Sequence, residues 1–312
     1  MEMRNLPALA KQRLSQPGWW KLFGLHTAVS LGAGLIVSIL GAIISSTMPE
    51  ATGLSGMDTR SALESVRSLL ESAVSLALPF WEIGLVFLSL QFARKEQTTP
   101  ASLLQGFRRF APVLRLLLMK FLILLGITFA LTYITMNIAA SLPQTAEAAA
   151  LLEPMLTSGQ ALETEPVVQI LLDTMLPVLL IFLAVFLAVW LFVTFRLRWA
   201  EYAVMSDDTH QATAAIRGSW RLTGGNCKKL LLLDLRFWWI YLLDALVLAV
   251  FYLEWVLTSV GIPLPLDPGV FSWVMYGLYL VLRLLVYTFL YPRMKVTYCL
   301  AYDALTQRLS EE

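Results

Sequence analysis

Glu82, Asp244 and Arg283 are ionisable side chains inside stretches that are otherwise nearly free of charge. Stranding such a group in a bilayer costs at least ~2.5–3.5 kcal/mol on insertion scales, so each marks a candidate functional position. Asp244 lies eight residues after Arg236, and Arg283 lies eight residues before Tyr291. At a rise of about 1.5 Å per residue, both sit ~12 Å from the same interface. Two chemistries follow. In one, Arg283 bridges Asp244, with Glu82 as a further partner, and the ion pair locks helix register. In the other, the three line a polar cavity for an ion, a proton or a small amphiphile. Glu82 belongs to "ALPFWEIG". There Pro79 removes one helical N–H and frees a carbonyl, and Gly84 admits a neighbouring helix at close range.

Other chemistries lack their residues. There is no HExxH, no clustered acidic metal-ligand set and no Gly-rich phosphate loop. Ser219 has no base beside it in sequence, and His26 and His210, the only histidines, read as interface residues. The expectation is a protein that is not an enzyme, with no catalytic residues, no metal and no cofactor. The two cysteines, Cys227 and Cys299, fall in segments placed on the reducing side of the membrane and are expected as free thiols.

A second cluster of candidates lies in "SDDTHQATAAIRGSWRLTGGNCKKLLLLDL", Ser206 to Leu235. Asp208 and Gln211 fit a capping box, and Asp207 and Asp208 suit the positive end of a helix dipole. Gly224–Gly225 reads as a left-handed helix stop. Ala212, Ile216, Ser219, Trp220 and Thr223 fall on one face at helical spacing, with Arg217 and Arg221 on another flank. This is the pattern of an in-plane interfacial helix, or of a connector that sets the entry angle of the next span. Arg217, Trp220, Arg221, Lys228 and Lys229 are the candidate contacts with anionic lipid headgroups or with a membrane-protein partner.

The elements that carry these residues are membrane spans. The 312-residue chain is 58% hydrophobic and 14% charged, against about a quarter charged in soluble domains, with a mean hydropathy of +0.69. Crossing ~30 Å of hydrocarbon takes roughly 20 apolar helical residues. Six windows qualify: Leu22–Thr47, Ser72–Ala93, Val113–Leu142, Val167–Phe195, Leu230–Leu257 and Val270–Tyr291. Twenty of the 23 Lys and Arg fall in the N-terminal arm, the second and fourth connections with their flanks, and the tail, while the third connection is acidic with Glu147, Glu153, Glu163 and Glu165. The positive-inside rule then places both termini in the cytoplasm. Trp19–Trp20, Trp199 and Trp238–Trp239 mark the inner interface, and Trp255 and Trp273 the outer one. The net charge of +1 points to no nucleic-acid partner.

The chain also reads as a threefold repeat, 1–98, 99–200 and 201–312, within a single membrane domain. Its exits are "FARK", "FRLR" and "YPRMK", and each outward span is preceded by a short amphipathic stretch. The expected fold is all-α: a polytopic membrane helix bundle of six transmembrane helices in three hairpins, with short amphipathic cytoplasmic helices. Any six-span protein obeying positive-inside would show similar exits, and that simpler reading stands beside the repeat.

"AIRGSWRLTGGNCKKLLLLDLRFWWIYLL" resembles the signature of a bacterial family known by a domain-of-unknown-function number, nine-seven-five. "LPALAKQRLSQPGWWKLF", "LLQGFRRF", "FRLRWAEYAVMSDD" and "LYPRMKVTYCLAYDAL" resemble other parts of it. Cys227 departs from the Lys or Arg common at its position, and Arg236 and Asp244 make the fifth span unusually polar. The pattern is also compatible with related six-span families, including the membrane portion of some glycerophosphodiester phosphodiesterases. The resemblance implies an integral protein of the bacterial cytoplasmic membrane and carries over no catalytic residue. The expected function is a non-enzymatic accessory or regulatory partner of a transport or envelope process. The alternative is a small permease or channel built on Glu82, Asp244 and Arg283.

Overall fold

The structure is a computed structural model; it describes residues 3–47, 54–141, 176–206, 211–263, 265 and 267–311. The acidic third connection, the start of the fourth window and the Asp207–Asp208 cap lie outside the described residues. Among the described residues the elements are helical and no strand occurs. In order they are α1 (Leu6–Arg13), α2 (Trp19–Thr47), α3 (Leu54–Arg94), a 3-10 turn (Pro100–Leu104), α4 (Gln105–Arg108) and α5 (Phe110–Ser141). There follow α6 (Leu176–Leu197), α7 (Trp199–Ser206), α8 (Ala212–Gly224), α9 (Cys227–Arg236), α10 (Trp238–Phe251) and α11 (Leu253–Ser259). The last are α12 (Pro268–Leu285), a π-helical turn (Val286–Leu290) and α13 (Tyr291–Glu311).

Among the described residues, five helices are long and apolar enough to cross a bilayer: Trp19–Ile44, Leu63–Arg94, Phe110–Ile138, Leu180–Ser206 and Pro268–Gln307. A sixth candidate is the pair α10 and α11, bent by 59°. Large apolar side chains such as Ile36, Phe129 and Ile181 are exposed along these helices, as lipid-facing surfaces require.

The chain divides into two compact units. The smaller, Arg115–Arg198, contains most of α5 and all of α6. The larger, Met1–Leu114 with Trp199–Glu312, contains every candidate site residue. At its centre is α3, the most buried of the candidate spans, which packs against α2, α4, α7 and α13. Two glycines permit the closest of these approaches. A Cβ on Gly84 would overlap the carbonyl oxygen of Leu103, and one on Gly106 would overlap that of Phe80. Phe80 stacks on Phe107 and Phe110 at 5.7 and 4.9 Å, so this crossing also fixes the rotation of α3. The close neighbour expected at Gly84 is therefore the segment leading into α5.

Several local expectations change. The fifth window is not one helix: it breaks at Phe237 and again at Tyr252, leaving Arg236 at the end of α9 rather than inside a span. The sixth does not stop at "YPRMK" but runs on through α13. Pro292 lacks an N–H and its ring crowds the carbonyl of Thr288, and the π turn absorbs that defect just upstream. Gln211 is the N-cap of α8 rather than its third residue, and Gly225 closes α8 with φ −85°, a right-handed rather than left-handed stop. The buried face of α8 is Ala212, Ala215, Ser219, Leu222 and Thr223, which leaves Ile216 and Trp220 off it. Trp199 is not an interface residue. Its exposure is 0%, and it packs with Tyr202, Tyr298 and Tyr302 to hold α7 on α13.

Two further features tie the near end of the larger unit. Arg94 reaches Asp303 with two hydrogen bonds, 2.7 and 3.1 Å, joining the end of α3 to α13. Lys95 then turns the chain with φ 60°, while the Glu96 N–H donates to the Gln91 carbonyl at 2.9 Å. This is a Schellman stop carried by a lysine where glycine is usual.

Candidate functional site

Three helices in the larger unit face one another around a cavity of about 550 Å³. From α2 come His26, Thr27, Ser30, Leu31 and Gly34; from α3, Ser75, Leu78, Pro79 and Glu82; from α12 and the π turn, Tyr276, Tyr279, Leu280, Arg283 and Tyr287. Each set recurs at three, four or seven residues, so each is one face of a helix. Glu82 and Arg283, separated by 201 positions in the chain, thus reach the same wall system.

Glu82 is half exposed, its side chain at 49%, and its Oε1 lies 3.8 Å from His26 Nε2. His26 is buried, and that nitrogen has no hydrogen-bond partner. The imidazole is held by a parallel stack on Trp81, centroids 5.3 Å apart, and the Trp81 indole donates to the His26 carbonyl at 3.1 Å. Pro79 supplies no N–H to the Ser75 carbonyl one turn earlier. Both residues line the cavity, so the Pro79 effect read from sequence falls beside Glu82.

Arg283 sits between two aromatic rings, its guanidinium 5.5 Å from the Tyr279 centroid and 5.3 Å from that of Tyr287. It also donates to the Tyr279 hydroxyl. Asp244 is half-buried on α10 and accepts from the Tyr287 hydroxyl at 3.3 Å. Among the described residues no carboxylate lies within 4.0 Å of Arg283. Tyr287 therefore stands between Arg283 and Asp244, and Asp244 lies behind the cavity wall rather than on it. Lys295 and Arg283 both act electrostatically on Glu82 from a distance, opposed by Glu201.

A second hollow of about 360 Å³ adjoins the first through Tyr276, whose hydroxyl donates to Ser38 at 3.4 Å. Its one charged lining residue among those described is Glu254, which accepts from Ser272. Sequence reasoning missed His26, Glu254 and the tyrosines. The tyrosine set was detectable as Tyr276, Tyr279, Arg283 and Tyr287, a stripe on one face of an apolar helix. His26 carried no signal beyond its place in an apolar run.

The other candidates lie on α8 and α9. Arg217, Arg221, Lys228 and Lys229 are exposed, and Trp220 is 39% exposed. On α9, Leu231, Leu232 and Leu235 are exposed beside the lysines, while Leu230 and Leu233 are buried. Lys229 and Arg236 line an apolar hollow of about 460 Å³ with Met3, Leu232, Leu233 and Leu235. Basic and apolar groups thus share one outward surface, as on helices that lie in a lipid interface. Among the described residues, no group of three or more His, Cys, Asp or Glu is placed to hold a metal ion, and both cysteines are free thiols.

Comparison with curated proteins and with solved structures gave no match. The chain belongs to the family described as "Protein of unknown function (DUF975)", which it matches over residues 7–309.

Proposed function

We propose that this is a non-enzymatic six-span protein of the bacterial cytoplasmic membrane, arranged as three hairpins with both termini cytoplasmic. In this reading it binds a small polar solute in the Glu82–Arg283 cavity and passes it across the bilayer. The observation that carries the reading is the convergence of Glu82, His26 and Arg283, from three helices, on one cavity. A structural lock would bring opposite charges into contact, whereas these stand apart around open volume.

The test is flux through liposomes containing only the purified protein, with protons, amino acids, amines and carboxylates as solutes. At least one flux is expected, falling tenfold or more in Glu82→Gln. No flux of any of them, or an unchanged flux in that variant, refutes the reading. A second reading, an accessory partner acting through lipid or protein contacts, is favoured by the exposed Arg217, Trp220, Arg221, Lys228 and Lys229. It predicts silence from the protein alone and a partner retained through purification in mild detergent.

A further inference from the structure

We infer that the cavity takes a zwitterion, a ligand bearing an ammonium and an anionic group, with the ammonium against Glu82 and the anion against Arg283. This rests on the solute-binding reading above and names the class of solute.

The two sides of the cavity differ in hydrogen-bonding character. On the α2 and α3 side acceptors predominate, the Ser75 hydroxyl being a donor among them. Glu82 offers a carboxylate, and Ser75 a carbonyl that Pro79 leaves without its helical donor. Thr27 and Ser30 give their hydroxyl hydrogens to the Phe23 and His26 carbonyls, so their oxygens face the cavity only as acceptors. His26 Nε2 has no hydrogen-bond partner and stands 3.8 Å from Glu82 Oε1; in the tautomer that carries the proton on Nδ1 it adds one more acceptor. An ammonium, with three donors and no acceptor, is the complement of this side. On the α12 side Tyr276 and Tyr287 give their hydroxyl hydrogens to Ser38 and Asp244, and the donors left for a ligand belong to Arg283 and Tyr279. Arg283 has five N–H groups, and Tyr279, accepting from Arg283, keeps its own hydrogen to donate. A carboxylate or phosphate is the complement there.

Charge balance leads to the same ligand. Among the described residues the lining holds one carboxylate and one guanidinium, which are not in contact with each other. A purely cationic or anionic ligand would pair one and leave the other without a partner. A molecule carrying both signs pairs both. The volume of about 550 Å³ falls in the usual range of roughly 300–1,000 Å³ for ligand sites. Two sources share this chemistry: a free amino acid, and the phosphoethanolamine headgroup of a lipid.

The experiment measures ligand binding to the purified full-length protein by calorimetry and thermal shift. Glycine and 4-aminobutyrate are the free zwitterions, methylamine and acetate the single-charge halves. Nanodiscs of phosphatidylethanolamine or of phosphatidylglycerol supply the lipid arm. A zwitterion from one source is expected to bind at least tenfold more tightly than either half. Glu82→Gln is expected to weaken it about 10- to 100-fold, the loss of one charge-assisted pairing, while acetate binds as well as or better than before. Arg283→Gln should give the mirror image with methylamine, a pattern that misfolding cannot produce. Stabilisation by phosphatidylethanolamine nanodiscs alone assigns the site to a headgroup, and stabilisation by the free amino acids assigns it to a solute; either supports the zwitterion. A half binding as tightly as the zwitterion overturns the ligand class and leaves the solute-binding reading standing. Absence of binding by every probe overturns the class as well, and the wider reading falls with it only if the liposomes also carry no flux.

Discussion

Replacing Gly84 by alanine perturbs the molecule where two backbones touch. The added Cβ would overlap the Leu103 carbonyl oxygen and lie 2.8 Å from the Leu103 carbonyl carbon, against 3.4–4 Å for ordinary contact. Clearing the carbon alone requires a separation of about 0.6 Å, from 2.8 to 3.4 Å, and the oxygen requires more. No side chain can rotate away, because the obstacle is main chain on both sides of the crossing. Overpacking costs ~1–3 kcal/mol in well-packed sites, and the absence of a flexible neighbour places this case near the upper end, about 3 kcal/mol. At ~2–4 °C per kcal/mol for a chain of this size, the melting temperature falls by roughly 6–12 °C. The control is the same substitution at Gly126, where an added Cβ meets nothing within 4 Å. Removing a helical glycine there is expected to be neutral or to stabilise by up to ~1 kcal/mol. The assay is thermal unfolding of the detergent-purified protein followed by tryptophan fluorescence. A Gly84→Ala protein melting within a degree or so of wild type would refute the close crossing, and with it the rotation of α3 that presents Glu82 to the cavity.

Other consequences follow from particular contacts. Tyr287→Phe keeps the ring under Arg283 but removes the hydroxyl from Asp244, a long bond of 3.3 Å; about 1 kcal/mol should be lost in thermal unfolding, and no loss would show that Asp244 is satisfied elsewhere. Asp303→Asn breaks the two-pronged contact with Arg94; both side chains are part-exposed, so a loss of about 1 kcal/mol is expected, shrinking in high salt. Lys95→Gly relieves a left-handed lysine at φ 60° and should stabilise by ~1 kcal/mol; destabilisation would mean that the lysine side chain matters more than the backbone.

The spans were legible because length and hydropathy alone identify them, as with α2 and α5, whose windows match their helices closely. The breaks at Phe237 and Tyr252 were not. They fall in "RFWW" and "FYLE", with no glycine or proline to announce them, so tertiary packing rather than local propensity decides where α9, α10 and α11 end. Trp199 illustrates the same limit. A tryptophan beside two arginines has the composition of an interface residue, yet its partners Tyr298 and Tyr302 lie about a hundred positions away. For the cavity, charge in an apolar run singled out Glu82 and Arg283, and equal depth suggested Asp244 as the partner of Arg283. The intervening Tyr287 could not be foreseen, because depth fixes height along a helix and says nothing of what stands between two helices. His26 was hidden for the same reason: its meaning comes from Trp81 and Glu82 on another helix.

The central claim is that Glu82 faces a water-accessible cavity rather than lipid or a sealed ion pair, and thiol accessibility tests it most directly. In a Cys227→Ser background, with Cys299 left in place because it is fully buried, Glu82→Cys and Leu76→Cys are compared. Both positions lie on α3, and Leu76 is a highly exposed apolar residue, 72%. A small, charged, membrane-impermeant thiosulfonate applied to intact membranes should label position 82 and leave position 76 unmodified. Equal silence at both positions would contradict the cavity.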